Sequence, residues 1–191
     1  MPATRIVAFG DSLTVGYQSP TPAVPAGAAT PYGQFLQQML DGRAEVVIRG
    51  ISGELTADML QRFTRAALAL RPNDVIILGG TNDLGWGAEP AAIARNLIEL
   101  YHRSRTAGAR PIAVTVPSIR GFDALIPPRQ ELNQLIRDHC AANQFPCIDL
   151  FSATAEPGNQ RLAERFCNDG LHLTTDGYRL LAEMLFRSVY S

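Results

Sequence analysis

The chain has 191 residues, 46% hydrophobic and 18% charged, with 17 basic residues against 18 acidic ones and a net charge of −1. This is the composition of one folded globular domain, long enough to bury roughly 70% of its unfolded surface, and it argues against disorder. No block of like charge recommends a nucleic-acid partner or an anionic membrane surface, and no apolar stretch approaches the roughly 20 residues that span a bilayer, so stable membrane insertion is not expected.

Met1-Pro2-Ala3-Thr4-Arg5 runs straight into Ile6-Val7-Ala8-Phe9, without the charged lead, longer apolar segment and cleavage site of a secretory signal. The chain therefore reads as cytoplasmic. A first strand over 5–10 ends in Phe9-Gly10-Asp11-Ser12-Leu13-Thr14. Soon after, residues 18–31 carry four prolines among many alanines. A loop this long in a compact domain reads either as a wall or lid of a site or as a surface loop without a role.

A helix is expected over 32–40, from Phe35, Leu36, Met39 and Leu40, and a second strand over 44–50 leads into Gly50-Ile51-Ser52-Gly53. Met59, Leu60, Phe63, Ala67 and Leu70 mark a helix over 57–70, and a third strand over 74–80 runs into Gly79-Gly80-Thr81-Asn82-Asp83. Ile93, Leu97, Leu100 and Tyr101 predict a helix over 90–107, stopped at Gly108. A strand over 110–117, a helix over 128–143 and a strand over 145–150 follow. The last helix, over 175–190, starts at a cap within 174–176 and carries Leu180, Leu181, Met184 and Leu185.

Most of the strand runs are continuously apolar, as strands covered on both faces are. Their alternation with helices predicts a single-domain three-layer α/β/α sandwich around a five-stranded parallel sheet, in flavodoxin-like order. Cys140, Cys147 and Cys167 show no metal-type spacing; their odd number suits reduced thiols, with a Cys140–Cys147 pair as the alternative.

In an open parallel sheet every strand's carboxyl end lies on one edge, where ligands bind. Ser12, Gly53 and Asn82 follow the first, second and third strands, and the Asp169-Gly170-Leu171-His172 loop precedes the final helix and can return to the same edge. Acyl transfer needs a nucleophile, a base, a group to orient the base, and donors for the developing oxyanion. Ser12 is the candidate nucleophile and His172 the base, imidazole having an ordinary pKa of about 6.5. Asp169, three residues before His172, can reach the far ring nitrogen. The oxyanion donors are the Ser12 and Gly53 backbone N–H groups and the Asn82 amide.

Gly10-Asp11-Ser12-Leu13, Gly53, Gly80-Thr81-Asn82-Asp83 and Asp169-Gly170-Leu171-His172 together resemble, in order, the four blocks of the SGNH (GDSL) hydrolase family. The likeness runs from residue 5 to the final helix, and includes the continuation His172-Leu173-Thr174-Thr175-Asp176-Gly177-Tyr178. Ile48 departs from it, standing where the family often has Asn, and residues 18–31 are longer than its plainest members need. The resemblance implies a compact α/β sandwich with a shallow open site and an esterase or lipase activity.

Each residue also has a plainer reading. Ser12 alone would be a turn serine, Gly53 a strand-to-helix glycine, Asn82 and Asp83 helix caps, and Asp169 a surface carboxylate. With all four blocks present, Asp11 is expected to shape the turn and Asp83 to support Asn82. Tyr17, Trp86 and Phe122 are candidates for the substrate wall, with Leu125 beside Phe122; Trp86 could equally anchor core. His102 and His139 read as solvated helix faces. Arg49, Arg120 and Arg129 lie near the motifs but give no phosphate signature without a Walker-type loop.

The expected function is hydrolysis of a small carboxylic ester, of short acyl chain, through an acyl-serine, with no metal or cofactor. Deacylation of a carbohydrate, lipid or thioester by the same residues is the alternative. A non-catalytic binding module would be expected to have lost a catalytic residue. A nucleotide binder would use Gly79-Gly80-Thr81-Asn82, which is short and has no partnering lysine. The sequence leaves the oligomeric state open.

Overall fold

The computed structural model describes residues 4–191, so the Met1–Ala3 part of the N-terminal reading lies outside the described residues. Its sheet is formed by β1 (Thr4–Gly10), β2 (Ala44–Gly50), β3 (Asp74–Leu78), β4 (Arg110–Val114) and β5 (Cys147–Ile148), in the order β2-β1-β3-β4-β5. Every pairing is parallel, which is the flavodoxin-like order expected. Central β1 and β3 are apolar at consecutive positions because both of their faces are covered: Val7, Ala8 and Phe9 are buried, and so are Val75 to Leu78.

Short helices α1 (Ser12–Val15), α4 (Thr81–Gly85) and α7 (Leu150–Thr154) follow the ends of β1, β3 and β5, and on one side α2 (Tyr32–Leu40) packs against α8 (Thr175–Leu185). On the other, α3 (Thr56–Ala66) and α6 (Ile126–Asn143) both pack against α5 (Pro90–Thr106). Helical spacing explains the choice of faces. Tyr178, Leu181, Ala182 and Leu185 form the buried stripe of α8, and Ile93, Leu97, Leu100 and Tyr101 that of α5.

Several element ends differ from the pattern for local reasons. The fifth strand keeps only Cys147 and Ile148, because the Asp149 side chain accepts from Ser152 N–H at 3.1 Å and starts a short helix there. The 57–70 run leaves α-geometry after Ala66 and finishes as a 3₁₀ turn, closed by Arg71 at φ 50°. The 128–143 helix begins earlier, at Ile126, since Pro127 and Pro128 fall in a first turn that has no N–H bonds to lose. Phe186–Tyr190 continues α8 as a π-turn.

Residues 18–31 are less loop-like than their prolines imply. Tyr17–Gln18 pairs antiparallel with Ala28–Ala29, folding the segment into a ribbon. The Gln18 amide donates to Thr30 Oγ1 at 2.8 Å and to Thr175 Oγ1 at 3.0 Å, tying the ribbon to the start of α8.

Candidate active site

The carboxyl end of β1 turns sharply at Gly10, which lies in register with Gly50 on one side and Leu78 on the other. A Cβ on Gly10 would fall 2.0 Å from the Leu78 carbonyl oxygen, so only glycine lets the three strands close up there. Asp11 then caps α1 (Ser12–Val15), its Oδ1 accepting from Leu13 N–H at 2.9 Å. Ser12 is the first residue of this turn, and among the described residues its backbone N–H finds no protein acceptor.

Asp11 is fully buried. Desolvation pushes its carboxyl up to about 7; the Leu13 N–H opposes this, and the nearby Asp83 and Glu54 carboxylates add to it.

The loop before α8 brings His172 Nε2 to 3.0 Å from Ser12 Oγ, across 160 residues of sequence. His172 Nδ1 stands 2.7 Å from Asp169 Oδ2, while Asp169 Oδ1 accepts from the backbone N–H groups of His172 at 2.8 Å and Leu171 at 3.0 Å. Ser19 Oγ also donates to Asp169 Oδ2, and Ser19 N–H to Asn168 Oδ1. Partial burial alone would raise the Asp169 carboxyl; hydrogen bonds from His172, Ser19 and Leu171 outweigh it and hold the group well below the ordinary carboxylate range. Tyr17 meets the His172 ring edge to face at 4.7 Å, and its carbonyl accepts from the buried Tyr178 hydroxyl at 2.8 Å.

Gly53 has φ 78°, a left-handed turn open to glycine, and among the described residues its N–H has no protein acceptor. The same turn is joined to the serine turn by Ile51 N–H donating to Gly10 O at 3.0 Å. Asn82 Nδ2 donates to Glu54 O at 3.0 Å, which sets the plane of the amide; its other contact, to Asp11 Oδ2, is long at 3.5 Å. Asp83 accepts from Thr56 Oγ1 at 2.6 Å and from Thr56 N–H at 3.1 Å, so it locks the Asn82 loop to the start of α3.

Four residues in this scaffold escaped the sequence reading. Thr56 and Ser19 are ordinary hydroxyl residues with no local signal of a partner. Glu54 and Arg62 form a buried ion pair, and Arg62 also donates to Gly10 O and Arg49 O at 3.1 Å while lying 4.2 Å over the Phe9 ring. Glu54 lies before the first turn of α3 and Arg62 within the helix, so no periodicity in the sequence pairs them.

A cavity of about 270 Å³ opens beside Asn82, walled by Trp86, Ile119, Leu125 and Leu171. Trp86 is 83% exposed, so it is no core anchor. Phe122 is 65% exposed and does not line this cavity, whereas Leu125 does. A larger hollow, of about 370 Å³, lies between α3 and α5 and touches none of the residues above. His102 and His139 meet each other at 5.5 Å on α5 and α6 and take no part in this group. Cys140, Cys147 and Cys167 are free thiols. Among the described residues no cluster of His, Cys, Asp or Glu is arranged to hold a metal ion, and no helix is long and apolar enough to cross a membrane.

The model of the GDSL-like lipase/acylhydrolase family matches residues 8–180. A Bacillus subtilis (strain 168) protein named an uncharacterized lipoprotein, YqeF, is 31% identical, covering 93% of this chain and 86% of its own. The lipase/acylhydrolase of Enterococcus faecalis superposes with a TM-score of 0.80 at 28% identity, over 97% of this chain and 95% of that one. An acetylxylan esterase of Geobacillus stearothermophilus, Axe2, shares the fold at 19% identity with a TM-score of 0.79, over 96% and 93% of the two chains. Matched from β1 into α8, the chain belongs to the GDSL-like lipase/acylhydrolase family, whose members are hydrolases acting on esters.

Proposed function

We propose that the protein cleaves small carboxylic esters of short acyl chain through an acyl-serine intermediate, with Ser12, His172 and Asp169 as its triad. The observation that carries this reading is the unbroken line of contacts from Ser12 Oγ to His172 Nε2 at 3.0 Å and from His172 Nδ1 to Asp169 Oδ2 at 2.7 Å. Ser12 Oγ attacks the ester carbonyl as its proton passes to Nε2, and the carbonyl π pair moves onto oxygen. The Ser12 and Gly53 N–H groups and the Asn82 amide receive that oxyanion. Collapse expels the alcohol, which takes the proton from Nε2. Water, activated by the same nitrogen, then frees the acid and restores Ser12. Asp169 holds the ring in the tautomer that leaves Nε2 free to accept, and stabilises the imidazolium.

The short-chain reading is supported by the cavity beside Asn82, whose 270 Å³ lies below the roughly 300–1,000 Å³ of pockets that swallow drug-sized ligands. Deacylation of a carbohydrate is a second reading, favoured by Trp86, an indole exposed at the mouth of that cavity and free to cover an apolar ring face. The cytoplasmic expectation rests on the sequence alone and gains nothing from a relative named a lipoprotein; fractionation of the native cell decides it.

A p-nitrophenyl series from acetyl to palmitoyl, run on wild type and Ser12→Ala together, tests the central reading. Short esters should be turned over by wild type, with kcat lower by several orders of magnitude in the variant. Equal activity in the two removes Ser12 from the mechanism, and faster turnover of the long chains removes the short-chain reading. Because His172 must be neutral to accept a proton, kcat/KM should fall on acidification.

A further inference from the structure

Arg129 has no place in the chemistry above, yet it is 1% exposed and lines the cavity beside Asn82. Its guanidinium donates to Leu125 O at 3.2 Å and to Thr81 Oγ1 at 3.1 Å, which spends two of five N–H donors on neutral acceptors. Nε is buried without a partner. Among the described residues no carboxylate stands within 4 Å of the group, although Arg62, Arg110, Arg120 and Arg161 each have one.

Burial without an anion is costly for a cation, and desolvation is the cause that draws this guanidinium down to about 10. It is still charged at neutral pH. The rest of the cavity is walled largely by apolar side chains, with Thr81 and Asn82 as its other polar ones. A lone charged group in a small, largely apolar cavity that also holds a candidate oxyanion donor is the pattern of a site that orients its ligand through a few placed polar groups.

We propose that Arg129 is a specificity-determining residue for esters that also carry a free carboxylate a few bonds from the scissile carbonyl, the carboxylate meeting the guanidinium within this cavity. The inference rests on the esterase reading. The carboxylate could belong to the acyl part, as in a half ester of a short dicarboxylic acid, or to the alcohol part, as in an acetylated short hydroxy acid. The recognition chemistry is the same for both, a charge-assisted and geometrically specific pairing that lysine imitates only in part.

The test compares two anionic esters with neutral isosteres in which an isopropyl group replaces the carboxylate. Monoethyl succinate is set against ethyl 4-methylpentanoate for the acyl arm, and 3-acetoxypropanoate against 3-methylbutyl acetate for the alcohol arm. In wild type, one anionic ester should exceed its isostere in kcat/KM by about ten- to a hundred-fold, the worth of a hydrogen bond to a charged group, and the arm that responds identifies the source. Arg129→Met should erase that ratio, chiefly through KM, and Arg129→Lys should keep part of it. An arginine that merely braces α6 would move both members of a pair together and leave their ratio alone. Equal rates within both pairs in wild type, or a preference that survives Arg129→Met, overturns the proposal.

If wild type turns over none of the four esters nor p-nitrophenyl acetate, it is the esterase reading that fails. Protein-observed NMR titration with monoethyl succinate and 3-acetoxypropanoate then decides the site alone. Saturable shifts at Thr81, Asn82 and Leu171 that vanish in Arg129→Met and weaken in Arg129→Lys support it, and their absence in wild type or their persistence in Arg129→Met overturns it.

Discussion

Asp11 and Asp169 carry the same side chain and both stand within reach of the Ser12 turn, one preceding it in the chain and one arriving behind His172. Asp11 is sealed under the turn, accepts a single backbone N–H and has two carboxylates nearby, so its proton is held up to about 7. Asp169 is partly open and is surrounded by donors from His172, Leu171 and Ser19, so it stays ionised far into acid. Environment thus separates two identical groups, with desolvation winning at one and hydrogen bonding at the other. Only the permanently charged one is suited to orient an imidazole and stabilise its cation. The sealed one is suited to shape a turn.

The largest effect should come from breaking the charged half of that pair. Asp169→Asn keeps the volume but can present an N–H where the ring's own N–H must be received, which favours the wrong tautomer. A fall of about 10⁴ in kcat on a short ester is expected, with KM little changed. A loss below tenfold would mean that the ring is oriented without Asp169, and the contrast between the two carboxylates would have no bearing on catalysis.

The sealed half makes its prediction in stability. For Asp11 the folded-state pKa of about 7 lies above the ordinary 3.8, so between these values the folded chain binds more proton than the unfolded one. Its contribution is therefore most favourable below about pH 4 and declines as pH rises towards 7. Asp11→Asn, which retains an oxygen to cap Leu13 N–H, removes that decline. The unfolding free energy of wild type relative to the variant should fall by on the order of 4 kcal/mol across the window, measured by urea denaturation at several pH values. Parallel curves would show Asp11 ionised in place. Asp169 acts with the opposite sign, its stabilisation being lost as pH falls below the ordinary carboxylate range.

The same contrast separates what is legible in the sequence from what is not. The sheet order is legible because continuous apolar runs such as Val75 to Leu78 demand cover on both faces, and right-handed crossovers leave few ways to supply it. The meeting of the Ser12, Gly53 and Asn82 turns at one edge follows from parallel strands alone. The supports do not follow. Ser19 meets Asp169 across 150 residues, and only because Tyr17–Gln18 pairs with Ala28–Ala29, a two-residue ladder too short to leave a periodic signal. Arg62 reaches the Gly10 and Arg49 carbonyls from α3. Arg129 shows no phosphate motif because none is there; its isolation is a property of the packing of α6 against the Thr81 turn. Backbone patterns travel in the sequence, whereas a side chain's distant partner is set by the completed fold.

Ser19 supplies the finest test of the comparison, because it belongs to the ribbon and yet touches the charged carboxylate. Its hydroxyl is one of four donors to Asp169, the others being the His172 ring and the backbone N–H groups of Leu171 and His172. Ser19→Ala leaves those three in place, so Asp169 stays ionised but gains freedom to turn away from Nδ1. A decrease of about three- to tenfold in kcat with KM unchanged is expected, the scale of one ordinary hydrogen bond. Ser19→Thr, which keeps the hydroxyl, should recover most of it. A raised KM at constant kcat would assign the ribbon to substrate contact. Wild-type values for both constants would mean that the other three donors suffice to hold the carboxylate, and that the ribbon packs beside the site without tuning it.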